Sequence, residues 1–278
     1  MGRHKKNVLV ILLVLTLTTF NIIMAVVIIQ KKNDADETAG NILDNIEGTN
    51  DAGENSSSGI AEGENNMQNL DNGQNSNGVS VTLCDGFYYE PISDGLREYI
   101  TNKSFKANDK IHYSDLRHVV VKYVDFNGQT SEGELIVNVL AADDVLAIFK
   151  ELYDVSYPIE KIRLIDEYNA DDDASMSDNN SSAFNYRTID GTNEISDHGY
   201  GIAVDINPLY NPYVRKGFGD RNVLPVNGSA YADRNASFEH KIVKGDVCYQ
   251  AFVKRGWKWG GEWDSPVDYQ HFYKEIYH

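Results

Sequence analysis

The residues of this chain best placed to do chemistry are two histidines and two aspartates in its C-terminal third. His198 and Asp205 belong to "SDHGYGIAVDINPLYNPYV" (Ser196 to Val214), where Gly199 and Gly201 permit a tight backbone path between them. Ile202, Val204 and Ile206 alternate with Ala203, Asp205 and Asn207, the period of a half-buried strand. Asp205 then faces away from the three aliphatics, and a turn at Gly199–Gly201 can fold His198 toward it. A later segment, "GWKWGGEWDSPVDYQHFYK" (Gly256 to Lys274), places Asp268 shortly before His271, beside Phe272 and the tryptophans Trp257, Trp259 and Trp263. Two imidazoles and one carboxylate make a three-ligand site with an open fourth position, which is the arrangement of catalytic rather than structural zinc. The same ligand types form the facial triad of non-haem iron oxygenases, but that motif usually sets its first histidine two residues before the acid. Glu262 and Asp264 compete with Asp268 for any acid–base role, and His240 is a spare ligand without a motif around it. His112, His118 and His278 have no such context.

These residues need a scaffold, and the sequence predicts one. "HVVVKYVDFNGQTSEGELIVNV" (His118 to Val139) reads as two strands around an Asn127-Gly128 turn. "DDVLAIFKELYDVS" puts Val145, Leu146, Phe149, Leu152 and Tyr153 at helical spacing, with Asp143 and Asp144 in the first turn. "IEKIRLID" predicts a further strand, residues 169–182 a polar loop, and "DVCYQAFVKRGW" a short helix beginning at Asp246 and stopped by Gly256. Hairpin, helix, strand and helix in this order predict an α+β domain with a small antiparallel sheet and flanking helices.

The N-terminal part is different. Arg3, Lys5 and Lys6 precede a run from Val8 to Gln30 that carries no charge, about the 20 residues needed to cross a bilayer as a helix. No small-residue cleavage site precedes Lys31-Lys32, so the run reads as a retained membrane anchor (8–30) behind a cytoplasmic tail (1–7). Residues 31–80 form an acidic linker too poor in apolar side chains to fold, which leaves the domain to residues 81–278. A net charge of −17 excludes a nucleic-acid binder. Cys84 and Cys248 make neither a zinc ribbon nor a disulfide framework, although an oxidising location allows one bridge between them.

The pattern Ser-x-His-x-x-Gly-x-Ala-x-Asp, met by Ser196, His198, Gly201, Ala203 and Asp205, resembles the signature of the zinc D,D-carboxypeptidase family (VanY-type). That family also includes L-alanyl-D-glutamate endopeptidases. "DINPLYNPYV" and the closing Trp259 to Phe272 segment resemble it as well. The resemblance implies zinc bound by His198, Asp205 and His271, with Asp268 as general base. It also implies that Arg187, in "FNYRTIDG", steadies a developing oxyanion, and that the fold is the small α+β domain shared with hedgehog signalling domains. Ser196 is expected either to support the ligands by hydrogen bonding or to contact substrate. The implied substrates are peptidoglycan stem peptides, reached from an extracellular domain on a single-pass anchor. A D-alanyl-D-alanine carboxypeptidase is the leading expectation. The alternatives are the endopeptidase of the same family and a non-catalytic wall-binding module stabilised by metal. Several carboxypeptidase members carry Glu at the base position where this chain has Asp268, so the bond cleaved stays open.

Overall fold

The computed structural model describes residues 78–276, apart from Phe218. The expected tail, anchor and all but the end of the linker lie outside the described residues. Among the described residues, no helix is long and apolar enough to cross a membrane.

The chain enters through strands β1 (Val81–Cys84) and β2 (Phe87–Pro91), then helix α1 (Asp94–Ile100). Strands β3 (Leu116–Val124) and β4 (Thr130–Asn138) complete an antiparallel sheet of order β1-β2-β3-β4. The predicted hairpin is therefore present, but its turn is not a two-residue Asn-Gly turn. Asp125 N donates to Gln129 O at 2.8 Å, and the Asp125 side chain accepts from the backbone of Asn127 and Gln129. Phe126, Asn127 and Gly128 are left at the tip, with Gly128 in the left-handed region at φ +77°. The aspartate supplies the turn's hydrogen bonds, so the glycine is needed at only one position.

Helix α2 (Val139–Asp154) starts earlier than its charge pattern predicts, because the Asn138 side chain accepts from Leu140 N at 3.0 Å and caps it there. Asp143 and Asp144 consequently lie beyond the first turn. Ala141, Ala142, Val145, Leu146, Ile148, Phe149 and Leu152 form its buried face. The strand expected in "IEKIRLID" is only β5 (Lys161–Ile162), paired in parallel with β6 (Asn180–Ser181). The Asn180 side chain takes over the next ladder positions, accepting from Arg163 N at 2.9 Å and donating to Arg163 O at 3.1 Å. The chain then coils into a 3₁₀ turn at Ile165–Tyr168. The predicted polar loop contains helix α3 (Asp172–Ser177), which Asp171 caps through Ala174 N at 3.1 Å.

Beyond this lie α4 (Asp197–Tyr200), β7 (Ala203–Asp205), β8 (Tyr213–Val214), β9 (Val223–Leu224), α5 (Val247–Val253), β10 (Lys258–Trp259), β11 (Val267–Asp268) and β12 (His271–Tyr273). Helix α5 follows its predicted cap, with Asp246 accepting from Tyr249 N at 2.7 Å. Two more antiparallel sheets form, β10-β12-β7 and β11-β8-β9. The class is thus mixed α and β, as predicted, with the antiparallel pairing divided among three small sheets rather than held in one. One core joins the first sheet and α2 to Val204, Ile206, Phe252, Trp257, Trp259 and Phe272. Phe252 and Phe272 stack at 4.0 Å between centroids. Each such buried side chain contributes about 1.5–3 kcal/mol, and here that burial fixes which face of β7 and β12 points inward. Both cysteines are free, Cys84 partly exposed and Cys248 buried in α5.

Gly201 ends α4 at φ +70°, where an added Cβ would lie 2.7 Å from Asn138 N. Its own carbonyl accepts from Asn138 N at 2.7 Å and ties α4 to the start of α2. Gly201→Ala should therefore destabilise the protein by about 2 kcal/mol or more through left-handed strain and backbone collision. Urea unfolding measures this, and an unchanged midpoint would contradict the packing described.

Candidate metal centre

Strands β7 and β12 pair with Asp205 directly opposite His271. Ile206 N donates to Gln270 O at 3.0 Å and Lys274 N to Ile202 O at 2.9 Å. By the alternation of antiparallel ladders, Asp205 and His271 form a non-hydrogen-bonded pair, the kind in which side chains stand closer together. Val204 and Phe272 on the opposite faces are buried in the core, so the apolar packing aims Asp205 and His271 to the same side. A slip of one residue would reverse both.

His198 arrives from α4, and the "FNYR" stretch holds it there. Asn185 N donates to His198 O at 3.1 Å, and Ser196 N donates to Arg187 O at 3.0 Å. His198 Nδ1 lies 2.5 Å from the Ala183 carbonyl oxygen, so Nδ1 carries the proton and Nε2 presents a lone pair. That Nε2 is 3.1 Å from His271 Nδ1 and 3.2 Å from Asp205 Oδ2, while His271 Nδ1 is 3.1 Å from Asp205 Oδ1. Atoms bound tetrahedrally at about 2.0–2.1 Å from one ion stand roughly 3.3 Å apart. The three side chains thus have the spacing of a ligand set, and their ligand atoms lie within 4.8 Å of one another.

The electrostatics agree. Two ring nitrogens and a carboxylate facing one another in a buried site need a positive charge between them. Burial works to lower the His271 pKa, but Asp197 and Asp205 outweigh it and push the imidazole up to about 10. Burial likewise works to raise the Asp205 carboxyl, and the charges and hydrogen bonds of His198 and His271 overcome it, holding Asp205 well below the usual carboxylate range. A divalent cation would take the place of the proton on His271. His271 Nε2, on the outer side of the ring, faces Asp197 Oδ2 at 3.6 Å. Asp197 is a contributor that the sequence pattern did not single out; its position beside His198 was the available signal.

Asp268 pairs with Tyr213 across β11 and β8. Its Oδ1 is buried without a hydrogen-bond partner. Burial is the main force raising its pKa, to about 7; Asp205 adds to the rise, and His271, His198 and a Gln270 hydrogen bond oppose it. A carboxyl with an orphaned buried oxygen and a pKa near neutrality is suited to accept and hold a proton. Gly260 makes this placement sterically feasible, since a Cβ there would come within 2.7 Å of Asp268 O and 2.9 Å of Asp268 Cβ. The rival acids lie elsewhere: Glu262 pairs with Lys244 at 2.6 Å, and Asp264 is exposed.

Arg187 forms an ion pair with Asp172 at the start of α3. Asp172 also accepts from Asn185 Nδ2 at 2.9 Å. Ser196 is buried and precedes α4, yet its hydroxyl neither caps the helix nor bonds to the His or Asp side chains. Trp257 and Trp259 belong to the core, whereas Trp263 lies 5.5 Å from the His271 ring and forms a wall beside it. His240 stands apart, stacked on Phe126 at 3.5 Å. It lines a separate surface cavity of about 850 Å³ that the ligand set does not reach. Asn207 and Asn211, from the same stretch as Asp205, are structural: Asn207 bonds Glu160 N and Pro158 O, and Asn211 bonds Ile242 N and His240 O.

The geometry agrees with one further finding. Residues 190–274 match the family model described as D-alanyl-D-alanine carboxypeptidase. The matched stretch is under a third of the chain and contains His198, Asp205, Asp268 and His271. It supports the resemblance and, with it, a hydrolase of the peptidase class whose His–Asp–His cluster can hold a metal ion. No curated protein and no solved structure matches the chain.

Metal affinity should rise with pH. With the His271 pKa at about 10 and Asp205 ionised throughout, a cation binding between pH 7 and 9 displaces one proton. The zinc dissociation constant should fall about tenfold per pH unit across that range, read by competition with a chelator. A flat profile would contradict the charge balance described, and His198→Ala or Asp205→Ala should abolish stoichiometric binding.

Proposed function

We propose that the chain is a zinc metallopeptidase of the D-alanyl-D-alanine carboxypeptidase family, acting on peptidoglycan stem peptides. The observation that carries the reading is the convergence of His198 Nε2, His271 Nδ1 and the Asp205 carboxylate within about 3.1–3.2 Å of one another. Asp268 stands close enough for its pKa to respond to all three, and the family match covers all four residues. Zinc bound there would supply Lewis acidity and a water that ionises near neutral pH.

The chain's own residues supply the rest. His198 and His271 present nitrogens whose proton positions are set by Ala183 O and Asp197, so neither ring has to reorient when a cation binds. Asp268 takes a proton from the attacking water and passes it to the departing amine. Its burial favours the protonated form and makes the return step accessible. Arg187 is assigned the developing negative charge on the carbonyl oxygen, in a site where a fixed cation can be worth several kcal/mol. Its ion pair with Asp172, which also accepts from Asn185, holds the guanidinium at the start of α3. Trp263 and Tyr273 flank His271 and limit the approach of water from that side.

The uncharged run over residues 8–30 is the proposed single-pass anchor, and the acidic segment after it the spacer that lets the domain reach a wall outside the membrane. The hedgehog-like arrangement of the domain belongs to the same proposal. The endopeptidase of the same family is the alternative and differs in the bond it cleaves.

Incubation with purified peptidoglycan, with products read by mass spectrometry, tests the reading: loss of one terminal D-alanine is expected. Cleavage after the L-alanine of the stem would identify the endopeptidase, and no hydrolysis by a zinc-loaded protein would contradict a peptidase. Asp268→Ala should abolish turnover while leaving zinc bound; loss of the metal would make Asp268 a ligand instead. The kcat/KM profile should rise with pH through an apparent pKa at or below about 7, because only ionised Asp268 accepts a proton and a nearby cation lowers its pKa.

A further inference from the structure

In a chain of net charge −17, three arginines lie close enough to one aspartate, Asp190, to act on its carboxylate. Each is held by an aspartate: Arg187 by Asp172, Arg221 by Asp173 at 2.8 Å, and Arg215 by Asp190 at 2.8 Å. Asp190 lies in the field of all three, with Arg215 contributing most, and is held below the usual carboxylate range. The Arg215–Asp190 pair is asymmetric, since the Arg215 side chain is 7% exposed and that of Asp190 is 73% exposed. A buried guanidinium is thus balanced by a carboxylate that stands largely in water.

Arg215 is also placed by the sheet. Its backbone N donates to Asn222 O at 2.7 Å, which extends the β8–β9 pairing one residue past Val214. Arg215 and Tyr213 therefore share a face, and Tyr213 is the cross-strand partner of Asp268. The Arg215 guanidinium carbon lies 5.7 Å from the Tyr213 ring centre. Tyr213 stands between the base and the buried cation, and the two strand positions span about 7 Å.

We propose that Arg215 receives the free C-terminal carboxylate of the peptide, and that Asp190 occupies this position until the substrate displaces it. Removing a single residue from a C-terminus puts the terminal carboxylate one residue, about 3.8 Å between Cα atoms, beyond the scissile bond. A cation on the Asp268 side of the centre then offsets Asp197, Asp205 and Asp268, which otherwise repel the substrate, and Arg215 stands one same-face position beyond the cross-strand partner of Asp268. Arg215 Nη1 donates to Asp190 Oδ2 at 2.8 Å while Nε donates to Arg221 O at 3.2 Å, so exchanging Asp190 for a peptide carboxylate preserves the charge balance and the Nη1 hydrogen bond. The Asp190 turn is closed by its own backbone, Ile189 N to Glu194 O at 2.8 Å and Thr192 N to Ile189 O at 3.0 Å. The Asp190 side chain can therefore leave without unpairing the strands. The proposal rests on the peptidase reading for the choice of peptide.

The test compares N-acetyl-D-alanyl-D-alanine with its C-terminal amide, using the full zinc-loaded chain with Asp268→Ala to prevent turnover and calorimetry to read affinity. The acid should bind about 10- to 100-fold more tightly than the amide. Arg215→Ala should erase that preference by weakening the acid alone, and Arg215→Lys should keep part of it. Asp190→Asn should tighten the acid several-fold by removing the internal competitor. Equal affinity for acid and amide, no binding of either, or a preference that survives Arg215→Ala would overturn the proposal. If Arg215→Ala fails to fold, as judged by circular dichroism and zinc content, absence of tightening in Asp190→Asn overturns it. Hydrolysis of the acid by the chain with Asp268 intact, followed in parallel, keeps the two readings separate. Arg215-dependent binding without hydrolysis counts against the peptidase and leaves the carboxylate site standing.

Discussion

Two imidazole nitrogens and a carboxylate facing one another at about 3.1–3.2 Å, in a largely buried site, cannot all remain uncompensated. Much of the surrounding structure serves to hold that arrangement. The core under β7 and β12 aims Asp205 and His271 to one side. Gly201 turns α4 so that His198 comes back to them, and Ala183 O fixes which ring nitrogen is bare. Gly260 leaves space for Asp268 to pack against the same strand system. A set of lone pairs held together in advance has already met the ordering cost of a metal site, and a cation relieves the repulsion that remains.

The charges around the centre are distributed unevenly. Carboxylates gather at the metal side, where Asp197, Asp205 and Asp268 lie close together. Arg215 lies one same-face position past Tyr213 and pairs with Asp190, while Arg187 and Arg221 pair with Asp172 and Asp173. Asp268 lies between the two regions, where burial keeps its proton affinity close to neutrality.

The chemistry was more legible in the sequence than the scaffold was. Alternating aliphatics around Asp205 and the glycines beside His198 already related those two side chains, because strand period and turn geometry are local properties, whereas His271 joined them only through the resemblance. The Asp205–His271 pairing was not readable, since it depends on a register between segments far apart in the chain. Strand and helix boundaries were missed where side chains replaced backbone partners. Asn138 began α2 early, Asn180 cut β5 short, and Asp171 made a helix inside a stretch that read as loop. Asp197 and Arg215 went unremarked for a related reason: each is defined by the ring or carboxylate it meets in space. Asn207 and Asn211, by contrast, sit within the stretch that carries the resemblance and act as staples for the neighbouring chain.

Anomalous diffraction at the zinc absorption edge, from crystals of the full chain grown with one equivalent of zinc, would locate the ion among these side chains. One anomalous peak is expected, bonded to His198 Nε2, His271 Nδ1 and an Asp205 oxygen, with a fourth position that no protein atom fills. A peak at any other place, or a fourth protein ligand closing that position, would contradict it.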